Sequence, residues 1–219
     1  MGLEKLFDGN IYGITCFEHS LGRSNEYVVR EMLETGVRII QYREKYRSKR
    51  IKYEECLLLR KITKDYNALF IVNDDIDLAV LSKADGIHLG QDDLPLKEAR
   101  KLKNKKQFIG ISTHSPQQAR EAVKAGADYI GAGPVFATAT KEGICRPVGL
   151  ESIKYVSNNI KVPFVAIGGI KEHNMDEVLK AGASCLSLVT EITAAKNIPG
   201  KIKNILKHLH ETILLNLHD

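Results

Sequence analysis

The sequence predicts an α/β fold, a (β/α)8 TIM barrel, in a single domain spanning residues 1–219. Eight short apolar or alternating segments have the character of strands, and segments with helical periodicity separate them. A short phrase, a small residue or glycine followed by an apolar run, recurs where a helix would end and a strand begin. It occurs at Thr35–Ile40, Ala84–Leu89, Ala125–Ile130 and Ala181–Leu186. Such strict alternation implies a parallel sheet with right-handed crossovers.

The predicted strands start near Ile11, Val37, Leu69, Gly86, Phe108, Asp128, Pro163 and Ser184. The predicted helices between them are Asn25–Glu34, Tyr53–Asp65, Ile76–Leu81, Leu96–Leu102, Gln117–Lys124, Leu150–Val156 and Met175–Lys180. Eight units in this length leave about 27 residues for each, which is compact but sufficient for a barrel. An open doubly wound sheet is the alternative, and the count of eight disfavours it.

A final amphipathic helix is predicted at about residues 199–218. Its apolar residues fall three to four positions apart, so one stripe faces the barrel. They are Ile202, Ile205, Leu206, Leu209, Ile213 and Leu214. A membrane or partner helix is the alternative interpretation of this stripe.

A chain of 219 residues can bury a sizeable core without disulfides or a structural metal. Its four cysteines, Cys16, Cys56, Cys145 and Cys185, show no metal-ligand spacing, which indicates free thiols in a reducing compartment. The first residues lack an apolar signal segment, and no apolar run approaches the ~20 residues that span a bilayer. We therefore expect a cytoplasmic protein with no membrane partner.

The net charge of +5 favours anionic partners. The densest basic stretches are Tyr46–Arg50 and Lys101–Lys106, but neither adds aromatic residues or a recognisable nucleic-acid-binding module. We interpret Lys101–Lys106 as a solvated helix end or loop. Small anionic molecules, and not nucleic acids, are the expected partners.

Polar residues follow each predicted strand, at the rim where barrel active sites lie. After the second strand, Gln41, Arg43 and Lys45 alternate and can share one face, where two cations suit a diphosphate. The alternative is that both cations form rim salt bridges with Glu44 and its neighbours.

Acidic clusters follow the third and fourth strands. Strands three and four lie about 4.8 Å apart in a barrel, so the two clusters meet. We expect Asp74 and Asp93 to hold Mg2+ together with a substrate phosphate. For Asp75 and Asp77 we expect helix N-capping.

The later strands lead into hydroxyl and glycine residues. Ser115 and Pro116 are a helix start, which leaves Ser112 and His114 without an obvious structural task. The long segment 133–149 is typical of a lid or binding loop and offers Thr138, Thr140 and Lys141 to an anion. Gly168–Gly169 and Val189–Thr190 follow the last two strands, where many barrels bind phosphate. The rim thus predicts a Mg2+-diphosphate site beside a monophosphate site, which suits transfer from a diphosphate leaving group.

The same segments closely resemble the thiamine phosphate synthase family, from about Tyr12 to Thr193. The matching motifs are QYREK (Gln41–Lys45), VNDDIDLA (Val72–Ala79), DGIHLGQDDLP (Asp85–Pro95), GISTHS (Gly110–Ser115), GAGPVFATATK (Gly131–Lys141) and AIGGI (Ala166–Ile170). The resemblance implies a transferase that joins a pyrimidine diphosphate to a thiazole phosphate with the help of Mg2+.

The resemblance also implies residue roles. The pyrimidine diphosphate would be bound by Gln41, Tyr42, Arg43, Glu44, Lys45, Asn73, Ser112 and Lys141. The thiazole phosphate, carboxylated in the family, would be bound by Thr138, Ala139, Thr140, Gly169, Val189 and Thr190. Asp74 and Asp93 would hold Mg2+, and Arg43, Ser112 and Lys141 would be catalytic. In the implied dissociative mechanism, these charges stabilise departing pyrophosphate while the thiazole nitrogen captures a pyrimidinylmethyl cation.

One departure from the family pattern is Thr190, where a serine is usual. Two rivals remain open: a thiazole tautomerase on the same barrel, and a catalytically silent sensor of a thiamine precursor. Retention of Gly133–Pro134, Thr138, Thr140, Lys141 and both metal carboxylates favours the synthase over the tautomerase. Intact Arg43, Asp74, Asp93 and Lys141 argue against the sensor, because a sensor needs affinity and not activation of a leaving group. The oligomeric state stays open, with a homo-oligomer among the alternatives.

Overall fold

The computed structural model describes residues 2–138 and 146–216, which form a closed barrel of eight parallel strands surrounded by helices. The strands are β1 (Asn10–Ile14), β2 (Ile39–Tyr42), β3 (Leu69–Asn73), β4 (Gly86–Leu89), β5 (Phe108–Thr113), β6 (Tyr129–Ala132), β7 (Phe164–Ile167) and β8 (Cys185–Ser187). They pair in sequence order, and β8 closes on β1. The predicted fold class is confirmed, and every strand begins within two residues of its predicted start.

The helices are α1 (Leu3–Phe7), α2 (Asn25–Glu34), α3 (Lys49–Asp65), α4 (Ile76–Leu81), α5 (Leu96–Leu102), α6 (Pro116–Lys124), α7 (Gly149–Asn159), α8 (Met175–Lys180), α9 (Val189–Thr193) and α10 (Ile198–Asn216). Helix α3 starts four residues before the predicted Tyr53, because Ser48 caps it by accepting a hydrogen bond from the Ile51 amide. Helices α1 and α9 were not predicted, since five residues are too few to show a helical period.

Glycine ends several helices, as the recurring phrase predicts. Gly36, Gly126 and Gly182 adopt φ of 104°, 94° and 94°. The phrase at 84–89 is different: Lys83 takes the left-handed conformation (φ 56°), and Gly86 lies inside β4. A Cβ at Gly86 would lie 2.2 Å from the Phe108 ring, so this glycine makes room inside the barrel.

Two apolar layers stabilise the barrel. One lies between the strands and the helices, and the other fills the barrel interior around Tyr12, Ile39, Ile71 and Tyr129. Phe7 of α1 packs on the Tyr129 ring at a centroid distance of 5.0 Å and closes the amino-terminal end. The opposite, carboxyl end is left for polar side chains.

Helix α10 covers the outside of the barrel with its predicted stripe. Ile202, Ile205 and Leu209 are fully buried, whereas Leu214 is 59% exposed and does not belong to the buried stripe. Within the described part of the chain, no helix is long and apolar enough to cross a membrane. Residues Lys101–Lys106 form the end of α5 and the segment after it and are mostly exposed, as expected.

Cys16, Cys56 and Cys185 are buried free thiols, as predicted. Cys145 lies outside the described residues.

Candidate active site

A cavity of about 680 Å3 opens at the carboxyl end of the barrel, and all eight strands contribute to its wall. Many of the predicted substrate-binding residues line it together. They are Gln41, Arg43, Asn73, Ser112, Thr138, Gly169, Val189 and Thr190. Three further predicted residues, Ala139, Thr140 and Lys141, lie outside the described residues.

A chain of hydrogen bonds crosses the buried floor of this cavity. Gln41 Nε2 donates to the Tyr12 hydroxyl (2.8 Å), which lies 2.7 Å from the Tyr129 hydroxyl. Tyr129 lies 2.8 Å from His88 Nδ1, and His88 Nε2 lies 2.9 Å from Ser112 Oγ. Burial raises the pKa of the phenols of Tyr12 and Tyr129, so both keep their protons at neutral pH.

Arg43 presents a cation to the cavity. Its backbone amide is held by Thr15 Oγ1 at 2.9 Å. Guanidinium Nη2 is buried and has no hydrogen-bond partner among the described residues. Because buried polar atoms are nearly always paired, this nitrogen indicates a place for an anionic ligand.

The neighbours of Arg43 face elsewhere. The Tyr42 hydroxyl donates to Glu55 Oε2 (2.6 Å), behind the strand. Glu44 accepts from the Phe17 amide (3.1 Å) instead of pairing with Arg43, and burial raises the pKa of its carboxyl. Lys45 is exposed and does not line the cavity. Gln41 and Arg43 share the cavity face as predicted, whereas the side chains of Tyr42, Glu44 and Lys45 do not line the cavity. The binding roles that the resemblance implies for these three residues stay predictions.

The two expected metal ligands, Asp74 and Asp93, are hydrogen-bonded to the same short segment at the end of β4. The Asp74 amide donates to the His88 carbonyl (2.9 Å), and Asp93 Oδ2 accepts from the Gly90 amide (2.6 Å). The described residues contain no group of three or more acidic, histidine or cysteine side chains that could hold a metal ion without other ligands. Two carboxylates fit Mg2+, which keeps several waters and takes phosphate oxygens as further ligands.

The capping roles expected for Asp75 and Asp77 are wrong. Asp75 stands at the start of α4, but its carboxylate makes no cap bond and pairs with Lys49 (2.6 Å) and Lys52 (3.0 Å). Asp77 pairs with Lys49 at 2.9 Å. Ser115 does cap α6 as predicted, accepting from the Gln118 amide at 3.1 Å.

The glycine pair after β7 allows a close approach between two loops. A Cβ at Gly168 would lie 2.4 Å from Pro134, and one at Gly169 would lie 2.5 Å from the Ala137 carbonyl. Across this end of the cavity, Lys171 Nζ donates to Thr190 Oγ1 (2.8 Å) and pairs with Glu191 (3.2 Å).

Sequence reasoning missed several lining residues: Tyr12, His19, His88, Lys171, His173, Asn174 and Ser187. His88 had a readable signal, because it is polar at a strand position that faces the barrel interior. His114 also has a structural role, since its Nδ1 lies 2.5 Å from the Gly133 carbonyl.

These features define a barrel enzyme whose cavity is lined by a cation just after β2 and by hydroxyl groups on β5 and after β8. The chain belongs to the thiamine monophosphate synthase family, whose model matches residues 11–192. The predicted activity, that of a thiamine phosphate synthase and hence of a transferase, is confirmed.

Individual relatives agree with this assignment. The chain is 58% identical to the thiamine-phosphate synthase of Pelotomaculum thermopropionicum, covering 92% of this chain and 93% of the relative. It is 55% identical to that of Caldicellulosiruptor saccharolyticus, over 90% and 89% of the two chains. A solved structure of thiamine phosphate pyrophosphorylase from Pyrococcus furiosus superposes with a TM-score of 0.88 at 35% identity, covering 97% of this chain and 100% of the other.

Proposed function

We propose that the cavity binds a pyrimidinylmethyl diphosphate and a thiazole phosphate side by side and joins them to give thiamine phosphate and pyrophosphate. The observation that carries this proposal is the buried Nη2 of Arg43, a cavity-lining residue, which has no hydrogen-bond partner among the described residues. A fixed cation there stabilises the negative charge that grows on a departing pyrophosphate.

In the proposed reaction the carbon–oxygen bond to the diphosphate breaks first. Arg43 holds the leaving diphosphate, Ser112 donates a hydrogen bond to the same substrate, and Gln41 and Asn73 orient it. The thiazole nitrogen then forms the new bond to the pyrimidinylmethyl carbon, while Gly169, Val189 and Thr190 hold the thiazole phosphate. We assign to Thr138, Ala139, Thr140 and Lys141 the binding roles that the family resemblance implies.

Asp74 and Asp93 are the residues that we propose hold Mg2+. The bound ion would neutralise charge on the diphosphate oxygens. The Asp93 carboxylate accepts a hydrogen bond from the Gly90 amide, and the backbone amide of Asp74 donates to the His88 carbonyl, so both residues are held against the end of β4. We further propose a cytoplasmic enzyme whose partners are these small molecules and not nucleic acids or membranes; a homo-oligomer is compatible with this function.

The test is to incubate the purified chain with both phosphates and Mg2+ and to quantify thiamine phosphate and pyrophosphate by mass spectrometry. We expect the two products in equal amounts, and their loss in EDTA. Tight binding of both substrates without either product would contradict the proposal and would favour a sensor.

A further inference from the structure

The hydrogen-bond chain across the barrel floor has a direction, which follows from counting donors. Gln41 donates through Nε2 to the Tyr12 oxygen, so the one Tyr12 proton is directed at the Tyr129 oxygen. The one Tyr129 proton is then directed at His88 Nδ1. A neutral imidazole whose Nδ1 accepts carries its proton on Nε2.

The far end of the chain is Ser112. Its Oγ lies 2.9 Å from His88 Nε2 and accepts the Nε2 proton. The hydroxyl proton of Ser112 is thereby available for another acceptor, and the residue lines the cavity. In the reverse direction, the Ser112 hydroxyl would donate its proton to His88 Nε2. Only the oxygen lone pairs of Ser112 would then face the cavity, where they would repel an anionic substrate. The forward direction, which the Gln41 amide sets, is therefore the one that suits an anionic substrate.

The rings of the chain are held in place by packing. Tyr129 contacts Phe7 and Phe108 at centroid distances of 5.0 and 5.8 Å. Two glycines make the room for these rings. A Cβ at Gly110 would lie 2.0 Å from the Tyr129 ring, and one at Gly131 would lie 3.3 Å from His88 Cε1. The side chains of this hydrogen-bond chain are thus fixed by packing in the barrel interior.

We propose that Tyr12, Tyr129 and His88 are positioning residues that act through Ser112, by holding its hydroxyl as a hydrogen-bond donor toward the bound substrate. This inference deepens the proposed function and rests on it for the identity of the acceptor, the pyrimidine diphosphate. The direction of the chain is a property of the protein without substrate.

The first test is nitrogen NMR of the substrate-free protein with labelled histidine. The protein has seven histidines, and the signal that disappears in a His88→Gln variant is that of His88. We expect a protonated Nε2 and an unprotonated Nδ1 at neutral pH. In a Tyr129→Phe variant this preference should weaken. The opposite tautomer in the wild-type protein would overturn the inference, whatever the enzyme catalyses.

The second test is a double-mutant cycle between Tyr129→Phe and Ser112→Ala. Each single change should lower kcat/KM on the order of 10-fold, the effect of one hydrogen bond. If Tyr129 acts through Ser112, the double variant should be no slower than Ser112→Ala alone. Additive losses would overturn the inference. The control is Tyr66→Phe, which removes a phenol hydroxyl that donates to Glu34 away from the cavity and should keep both the tautomer and the rate.

Discussion

The carboxylate of Asp93 accepts a hydrogen bond of 2.6 Å from the amide of Gly90 and is thereby fixed at the end of β4. An uncharged Asn at position 93 can still accept this bond, so the substitution separates the charge of the side chain from its structural role. We predict that Asp93→Asn lowers kcat on the order of 10²-fold, because a charge that stabilises the transition state is lost. Steady-state assays over a range of Mg2+ concentrations check this.

The control for Asp93→Asn is Asp92→Asn, a charge change at the exposed neighbouring position. It should keep the wild-type rate and the wild-type dependence on Mg2+. If Asp93→Asn were as active as the wild type in limiting Mg2+, Asp93 would not be a metal ligand.

Lys171 supplies a cation to the cavity wall after β7, where it donates to Thr190. We predict that Lys171→Met raises KM for the thiazole phosphate about 10-fold, because a charge-assisted hydrogen bond near its phosphate is lost. KM for the pyrimidine diphosphate should not change. Exposed Lys161 provides the matched control, Lys161→Met. Equal changes in both KM values would show that Lys171 does not belong to the thiazole subsite.

Glu44 predicts a specific pH dependence of stability. Burial raises the pKa of its carboxyl above the ordinary value of 4.5, so the folded state holds this proton more tightly than the unfolded state. The resulting stabilisation is present below the unfolded pKa and is lost as pH rises through the folded pKa. A Glu44→Gln variant has no carboxyl to ionise, so it does not lose stability in this way as pH rises. Its amide oxygen can still accept the hydrogen bond from the Phe17 amide.

We therefore expect the free energy of unfolding of Glu44→Gln to increase relative to that of the wild type as pH rises from about 4 toward 7. Urea unfolding across this range measures the difference. Exposed Glu54→Gln is the control, whose difference from the wild type should stay flat. A constant difference for Glu44→Gln would contradict the buried, proton-holding carboxyl.

The apolar stripe of α10 predicts that alanine substitutions at a buried and at an exposed position differ in their effect on stability. Ile205 is fully buried, and Ile205→Ala should lower the free energy of unfolding by about 2–5 kcal/mol through lost burial and a cavity. Leu214 is 59% exposed, and Leu214→Ala should change it by less than about 0.5 kcal/mol. Equal losses at both positions, measured by urea unfolding, would show that α10 packs differently.

The barrel could be predicted because its signals are local and repeated. Each strand is a short run of β-branched and apolar residues, and glycine ends several of the helices that precede the strands. The five-residue helices α1 and α9 could not be predicted, since they span little more than one helical turn.

The site was predictable at the carboxyl ends of the strands, where Arg43 follows β2 and Ser112 lies near the end of β5. Successive side chains of an extended segment alternate between faces, so Gln41 and Arg43 line the cavity and Tyr42 and Glu44 do not. The binding roles of Tyr42 and Glu44 stay predictions. Tyr12 was missed because an aromatic residue within a strand has the same pattern as a core residue. Its hydrogen bonds join residues far apart in sequence, and only the closed barrel brings them together.

The central claim is that Arg43 and a metal at Asp74 and Asp93 hold one diphosphate group at the carboxyl end of the barrel. The most direct measurement is a calorimetric titration of inorganic pyrophosphate, with and without Mg2+, into the wild type and Arg43→Met. We predict binding to the wild type that depends on Mg2+, and at least about 10-fold weaker binding to Arg43→Met. Equal affinity in both proteins, with or without Mg2+, would contradict the account.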